Sequence, residues 1–298
     1  MLKAILFKSE RRLQAFKEKL GKYGAEVTVL DFEKDDWVHF DYSDVDIVIY
    51  FPSFKYSSDH PLALFEVHDN LTHISGMNPA IRMFPDPNII RYYCDKYRQY
   101  LFLEAKKHPI PETYPLLTRE SLGTVEKSLG YPMVLKNRYG AGGDFVFKVS
   151  NRKELEKYFK ISTLDLFNAS SAKYFLSMGA KRGFYWHLIK DKKMSYPFLS
   201  PPLLAQKFVK IDRDLKTVVG SGKVVEAHWR HKADEAMWKM NIDGGGIGIW
   251  GHVPKEAVVI SERLANDLRA SWLNIDLIES SGRFLITEFS PVWHHYAY

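Results

Sequence analysis

In the first ninety residues, apolar runs of strand length alternate with a stretch of helical period. Residues 3–7 form a strand-like run, apolar from Ala4 up to Lys8, 10–20 carry a basic amphipathic pattern stopped at Gly21, and 26–30 and 46–50 are further strand-like runs. The last of these is apolar from Ile47 on, as strands covered on both faces of a parallel sheet tend to be. Such alternation predicts a small doubly wound α/β sheet. Beyond a proline-marked passage, 79–87, the pattern predicts one aromatic-rich helix over 89–107, with Asp95 and Lys96 amid Tyr92, Tyr93, Tyr97 and Tyr100. Residues 109–114 are extended, because each proline biases its predecessor away from helix. A helix over 119–129 then stops at Gly130.

The stretch 131–150, YPMVLKNRYGAGGDFVFKVS, reads as a hairpin: an apolar run ending in Lys136, a loop with Gly140, Gly142 and Gly143, and a second β-rich run. Glycines let the backbone come close to a bound group. Successive N–H groups in such a loop can form an anion-binding concavity, to which Lys136 would add a point charge. An ordinary hairpin turn accounts for the same residues, since GxGxxG and the P-loop's Gly-Lys-Ser/Thr ending are both missing. Asn151 caps a helix over 154–160. Residues 161–202 are the least regular part of the chain, with interleaved aromatic and basic residues that suit a subdomain elaboration or interface.

The C-terminal hundred residues return to β periodicity. Strands are expected over 203–209, over 215–219 and 223–230 around Gly220-Ser221-Gly222, and over 273–279 and 283–289 around Ser280-Ser281-Gly282. A polar loop spans 232–246, and an amphipathic helix spans 256–271. Asp214 and Lys216, two apart, share a strand face. With the last turn centred near Gly282, Asp276 lies opposite Glu288, and Ser290 projects from the same face. Like charges directly opposed destabilise a strand pair. Two carboxylates and a hydroxyl so placed suggest a cation between them, and Mg²⁺ is commonly held by one or two carboxylates plus substrate phosphates. Two exposed acids on an edge hairpin are the alternative.

Composition narrows the classes. Of 298 residues, 46% are apolar and 26% charged, as in globular chains with a real core. No apolar run reaches the ~18–20 residues of a membrane helix, and charge interrupts the N-terminal run too soon for a signal peptide. The single cysteine, Cys94, excludes an internal disulfide and suits a reducing, cytoplasmic setting. A net charge of +6 favours anionic partners without choosing among them. His60 and His68 lack metal-ligand spacing, and His294 and His295 read as tail residues.

Taken in order, these features resemble the ATP-grasp superfamily, and within it the RimK-like carboxylate–amine ligases. The resemblance runs from about Asp95 to the C-terminus and rests on Asp95-Lys96, the Ile110-Pro111-x-Thr113 connector, Lys136 with its glycine loop, the strand at 206–209, Asp214-x-Lys216, Arg230, Asn241, Asp276 and Glu288-x-Ser290. It implies an α/β (α+β) chain: a small doubly wound α/β domain (1–88), then a two-subdomain ATP-grasp fold. The subdomains would be 89–202, with a flap at 138–144 and the 161–202 elaboration, and 203–298, with the metal site. By resemblance, Lys96 and Lys136 contact ATP phosphates beneath the flap Gly140, Gly142 and Gly143. Gln206, Lys207, Phe208 and Val209 hold adenine, and Asp214 lies near the ribose. Lys216, Arg230, Lys239 and Asn241 face the transferred phosphoryl group and substrate, while Asp276, Glu288 and Ser290 bind Mg²⁺, with Mn²⁺ as the alternative. The family usually has arginine where Lys216 stands and asparagine where Ser290 stands. The implied activity joins a carboxylate, through an acyl phosphate, to an amine, with at least one acidic substrate, no membrane or nucleic-acid partner, and a homodimer or homotetramer. A small-molecule kinase, a nucleic-acid-binding protein and a non-catalytic ATP-binding relative are the competing readings.

Overall fold

The computed structural model describes residues 1–8, 13–32, 34–50, 61–93, 95–139, 146–162, 173, 176, 203–232, 238 and 247–291. Its N-terminal sheet contains β1 (Lys3–Phe7), β2 (Glu26–Leu30), β3 (Ile47–Ile49) and β4 (Arg82–Phe84), in the order β2-β1-β3-β4, all parallel. Parallel neighbours need crossover connections. Helix α1 (Leu13–Lys22) lies between β1 and β2, and α2 (Pro61–Met77) between β3 and β4. The sequence signal for α2 is the i, i+4, i+7 spacing of Val67, Leu71 and Ile74, all buried beside Ile5 and Val48. Burying each such side chain contributes about 1.5–3 kcal/mol.

The single helix expected over 89–107 is two: α3 (Pro87–Ile90) and α4 (Lys96–Ala105). The break has a local cause. The Asp95 side chain accepts the backbone N–H of Arg98 at 3.0 Å, as an N-cap does, and so starts a new helix.

The second sheet contains β5 (Thr113–Leu116), β6 (Met133–Lys136), β7 (Val146–Val149) and β8 (Leu203–Lys207), ordered β5-β8-β6-β7 and antiparallel throughout. The strand expected to open the C-terminal unit is therefore the inner strand of this earlier sheet, and it ends at Lys207 rather than 209. One face packs Met133, Leu135, Leu203 and Ala205 on α5 (Ser121–Leu129) and α6 (Arg152–Ser162). Period-two alternation turns Val134, Lys136, Leu204 and Gln206 to the other face.

The third sheet is ordered β11-β10-β9-β12-β13, also antiparallel: β9 (Arg213–Gly220), β10 (Lys223–His231), β11 (Ile247–Ile249), β12 (Trp272–Ser280) and β13 (Arg283–Ser290). Helix α7 (Lys255–Leu268) covers one face, where Leu215, Val219, Trp229, Ile275 and Leu277 are buried with Leu264. Both tight turns take two residues at positive φ, Ser221-Gly222 (48° and 79°) and Ser281-Gly282 (52° and 76°), whose twist matches that of the flanking strands.

The second turn and a bulge jointly set the last register. Ser280 pairs with Arg283, and an unbroken ladder would bring Asp276 against Thr287. One extra residue in β13 shifts the register between Asp276 and Leu277, so that Asp276 faces Glu288 and Asn274 faces Ser290. Substituting Gly282→Val should lower stability by about 1–2 kcal/mol, because a β-branched residue at this φ crowds its own carbonyl. Denaturant unfolding would measure this, and an unchanged midpoint would contradict the turn geometry.

Candidate active site

Opposite α7, the third sheet turns polar side chains outward in rows. One row crosses four strands through directly paired residues: His228 on β10, Lys216 on β9, Asp276 on β12 and Glu288 on β13. Beside it, Arg230 pairs in register with Asp214. Arg230 Nε and Nη2 each donate to Asp214 at 2.7 Å, and Nη2 also lies 3.2 Å from Asp276 Oδ2. Lys216 Nζ is 3.5 Å from Asp276 Oδ1.

Electrostatics fix the charge states. Burial opposes the Asp276 charge, yet Arg230 and Lys216 outweigh it and bring its carboxyl down to about 2. Burial likewise works against Arg230, but Asp276 and Asp214 together raise it above its usual value. Burial pushes the Asp214 carboxyl up to about 6 against the pull of Arg230, so the bidentate pair stays ionised at neutral pH. His228, 2% exposed, is held down at about 4 by burial, Lys216 and Arg230, and is a neutral imidazole at pH 7.

The facing wall comes from the second sheet and α4. Lys136 ends β6 on the face away from α5 and α6, directly paired with Leu204 and Val146. Burial lowers its ammonium to about 8. Lys96 pushes the same way, while Glu288 and Asp276 oppose it. The Lys136 ammonium on the second sheet thus feels Lys96 of α4 and Glu288 and Asp276 of the third sheet. Lys96, 8% exposed, opens α4. Its N–H donates to the Arg138 carbonyl at 2.8 Å, and Arg138 grips Asp95 through three contacts of 2.8–3.1 Å. Further along β8, Gln206 donates to Thr113 Oγ1 at 2.9 Å. The Lys148 ammonium lies 4.3 Å from the centre of the Phe208 ring, which is 6.3 Å from that of Trp238.

Of the residues singled out from sequence, Lys216, Arg230, Asp214, Asp276, Glu288 and Ser290 share the open face of the third sheet. Lys96 and Lys136 face them, and Gln206 and Phe208 extend the second wall. Lys207, exposed, lies 3.8 Å from Glu112 Oε2, and Val209 follows the strand. Gly140, Gly142, Gly143, Lys239 and Asn241 lie outside the described residues, as do Cys94, His60, His294, His295 and nearly all of 161–202. Sequence reasoning missed four residues here. His228 is flagged only by its period-two relation to Arg230, and Asn274 by the same relation to Asp276. Arg138 follows Lys136 by two, and Gln99 on α4, which bonds the Phe289 main chain between Glu288 and Ser290, carries no sequence signal.

Among the described residues no group of three or more His, Cys, Asp or Glu could hold a metal ion. The donors present are two opposed carboxylates, the Ser290 hydroxyl and the Asn274 amide facing it. This all-oxygen set fits Mg²⁺, which takes few protein ligands when phosphates complete its shell.

No protein-family profile matches the chain. Two curated relatives do: beta-citrylglutamate synthase B of Danio rerio, 24% identical over 224 residues, and N-acetylaspartylglutamate synthase A of Homo sapiens, 23% identical over 224 residues. Each match takes in 73% of this chain, which spans 46% and 48% of their respective lengths. Among solved structures, D-alanine–D-alanine ligase from Bacillus anthracis superposes with a TM-score of 0.61 at 14% identity, covering 98% of this chain and 87% of that one. A RimK domain ATP-grasp protein from Sphaerobacter thermophilus gives 0.60 at 13% identity, covering 98% and 92%. The ADP complex of N5-carboxyaminoimidazole synthetase from Staphylococcus aureus gives 0.62 at 14% identity, covering 98% and 71%. Three sheets superposing over nearly the whole chain on these structures give this protein the ATP-grasp fold.

Proposed function

We propose that the chain is an ATP-dependent carboxylate–amine ligase. One observation carries this reading: α4, which carries Lys96, is bonded to the chain leaving Lys136 and, through Gln99, to the Phe289 main chain between Glu288 and Ser290, so cations and carboxylates from separate elements are tied to one helix. A triphosphate is a ligand that would satisfy both. Its oxygens would accept from Lys96 and Lys136 and, with Asp276, Glu288 and Ser290, complete the shell of a Mg²⁺ or Mn²⁺ ion. When bound, that ion would neutralise charge on the phosphates. Adenine would lie along Gln206, Lys207, Phe208 and Val209, with Asp214 toward the ribose end, and Gly140, Gly142 and Gly143 would cover the phosphates.

The chemistry asked of the protein is positioning and charge neutralisation. A substrate carboxylate oxygen attacks the γ-phosphorus, the bond to the β-phosphate oxygen breaks, and ADP leaves. Lys216 and Arg230, with Lys239 and Asn241 by resemblance, would hold the carboxylate and the phosphoryl oxygens. The amine nitrogen then attacks the acyl carbon, the carbon–oxygen bond to phosphate breaks, and the amine proton is released. Enclosure of the cleft would keep water from hydrolysing the acyl phosphate.

Both curated relatives are named for glutamate-containing products, and Lys216 and Arg230 would suit an acidic substrate. Operation in the cytoplasm as a homodimer or homotetramer belongs to the same proposal. Among the described residues no helix is long and apolar enough to cross a membrane.

Phosphate release from ATP, screened over pairs of amino and other carboxylic acids, tests the reaction. Release is expected only when a carboxylate and an amine are both present. A stable phosphorylated product formed without an amine would replace the ligase by a kinase. Lys136→Ala should reduce ATP turnover at least 100-fold, about 2.7 kcal/mol at 1.36 kcal/mol per decade, with an unchanged circular dichroism spectrum. Turnover near wild type would remove Lys136 from the phosphate site. Nucleotide affinity should also depend on pH. In the free protein Lys136 loses its proton near pH 8, and phosphate would raise that value, so binding takes up a proton and weakens as pH rises above about 8. Calorimetric titrations across this range should show the decline, and Lys136→Met should flatten it.

A further inference from the structure

Helix α4 touches both walls of the cleft. At its N-terminus the Lys96 N–H donates to the carbonyl of Arg138, two residues past Lys136, and Asp95 pairs with Tyr139 in an isolated antiparallel bridge while accepting the Arg138 guanidinium. One turn on, Gln99 is 3% exposed and reaches the third sheet. Its Nε2 donates to the Phe289 carbonyl at 2.9 Å and to the Tyr92 carbonyl at 2.8 Å, and its Oε1 accepts the Phe289 N–H at 3.1 Å.

The choice of partner matters. Phe289 stands between Glu288 and Ser290, and among the described residues β13 is an outer strand of its sheet. An edge strand presents main-chain groups with no neighbouring strand to pair them. A side-chain amide, with one acceptor and two donor hydrogens, satisfies an N–H and a C=O together, as a further strand would. The bond is made just past the bulge that brings Glu288 opposite Asp276. Gln99 therefore fixes the main chain from which both Glu288 and Ser290 project. The same rigid helix carries Lys96 and, through Asp95 and Arg138, anchors the chain leaving Lys136.

We propose that α4 is a strut setting the distance between the lysine wall and the carboxylate wall, with Gln99 as the positioning residue for the metal-binding end. The inference rests on the reading of the cleft as a site for metal and nucleotide. It predicts a division of labour: loss of the Gln99 bonds impairs use of the metal while leaving phosphate capture by the lysines intact.

The test is equilibrium binding of ATP to the full chain by calorimetry, first in EDTA and then with Mg²⁺ titrated in, with thermal unfolding run alongside. In Gln99→Met the half-saturating Mg²⁺ concentration should rise about tenfold, as for other outer-shell partners of metal ligands, while the metal-free Kd for ATP stays within about twofold of wild type. A residue that serves stability alone would lower Tm and leave the Mg²⁺ dependence unchanged, and that result would overturn the proposal. Equal losses with and without metal would overturn it too. If Gln99→Met does not fold, Gln99→Asn decides by the same criterion: it keeps the neutral amide but is one methylene too short to hold the Phe289 N–H and carbonyl together, and should shift the Mg²⁺ dependence in the same direction by a smaller factor. Failure of the wild-type chain to bind ATP in either condition would refute the nucleotide reading itself. Wild-type binding with an unaltered Mg²⁺ dependence in the variant refutes only the role of Gln99.

Discussion

Two pairs of like charges face each other across the cleft. Asp276 and Glu288 sit opposite one another on adjacent strands, and Lys136 sits near enough to Lys96 for Lys96 to disfavour its charge. Either pair alone would weaken the element that carries it. Across the cleft they are complementary, and the fold supplies further counter-charge where burial demands it. Arg230 and Lys216 hold Asp276 ionised, and Asp95 takes up Arg138 at the foot of the lysine wall. A ligand carrying both a divalent cation and several anionic oxygens would relieve both repulsions at once, which is what supports the nucleotide site proposed above.

Each wall is positioned by apolar residues on its hidden face. Period-two alternation on β6 commits Met133 and Leu135 to the core and so turns Lys136 into the cleft. On β12, Leu273, Ile275 and Leu277 do the same for Asn274 and Asp276. A one-residue slip in either strand would reverse the arrangement. The bulge in β13 works within this rule, leaving Ile286 and Phe289 in the core while Glu288 meets Asp276. Where β13 ends its sheet, the buried amide of Gln99 takes the place of a missing neighbour.

Much of this was legible in the sequence because it is local. Strands and hairpins followed from apolar alternation and from Ser-Gly turns, and the facing of Asp276 and Glu288 followed from counting outward from the last turn. That count gave the observed pair by a different route, since the turn is centred between Ser281 and Gly282 and the bulge supplies the offset. Long-range facts were not legible. The strand read over 203–209 is observed over Leu203–Lys207, but its partners lie up to about ninety residues away, and nothing local says which sheet it joins. The helix break at Asp95 was hidden among tyrosines, because an aspartate inside a continuous aromatic pattern does not stand out as the N-cap that its bond to the Arg98 N–H shows it to be. His228 and Gln99 escaped for a related reason: a neutral buried histidine and a buried glutamine acquire meaning from what lies across the fold, not from what flanks them.

The central claim is that one triphosphate lies between these walls. A crystal structure of the chain with Mg²⁺ and a non-hydrolysable ATP analogue tests it most directly. The account predicts phosphate oxygens within hydrogen-bonding distance of Lys96 and Lys136 Nζ, and a metal ion bridging those phosphates to Asp276 and Glu288. A nucleotide bound elsewhere, or phosphates held with neither lysine nor either carboxylate in contact, would contradict it.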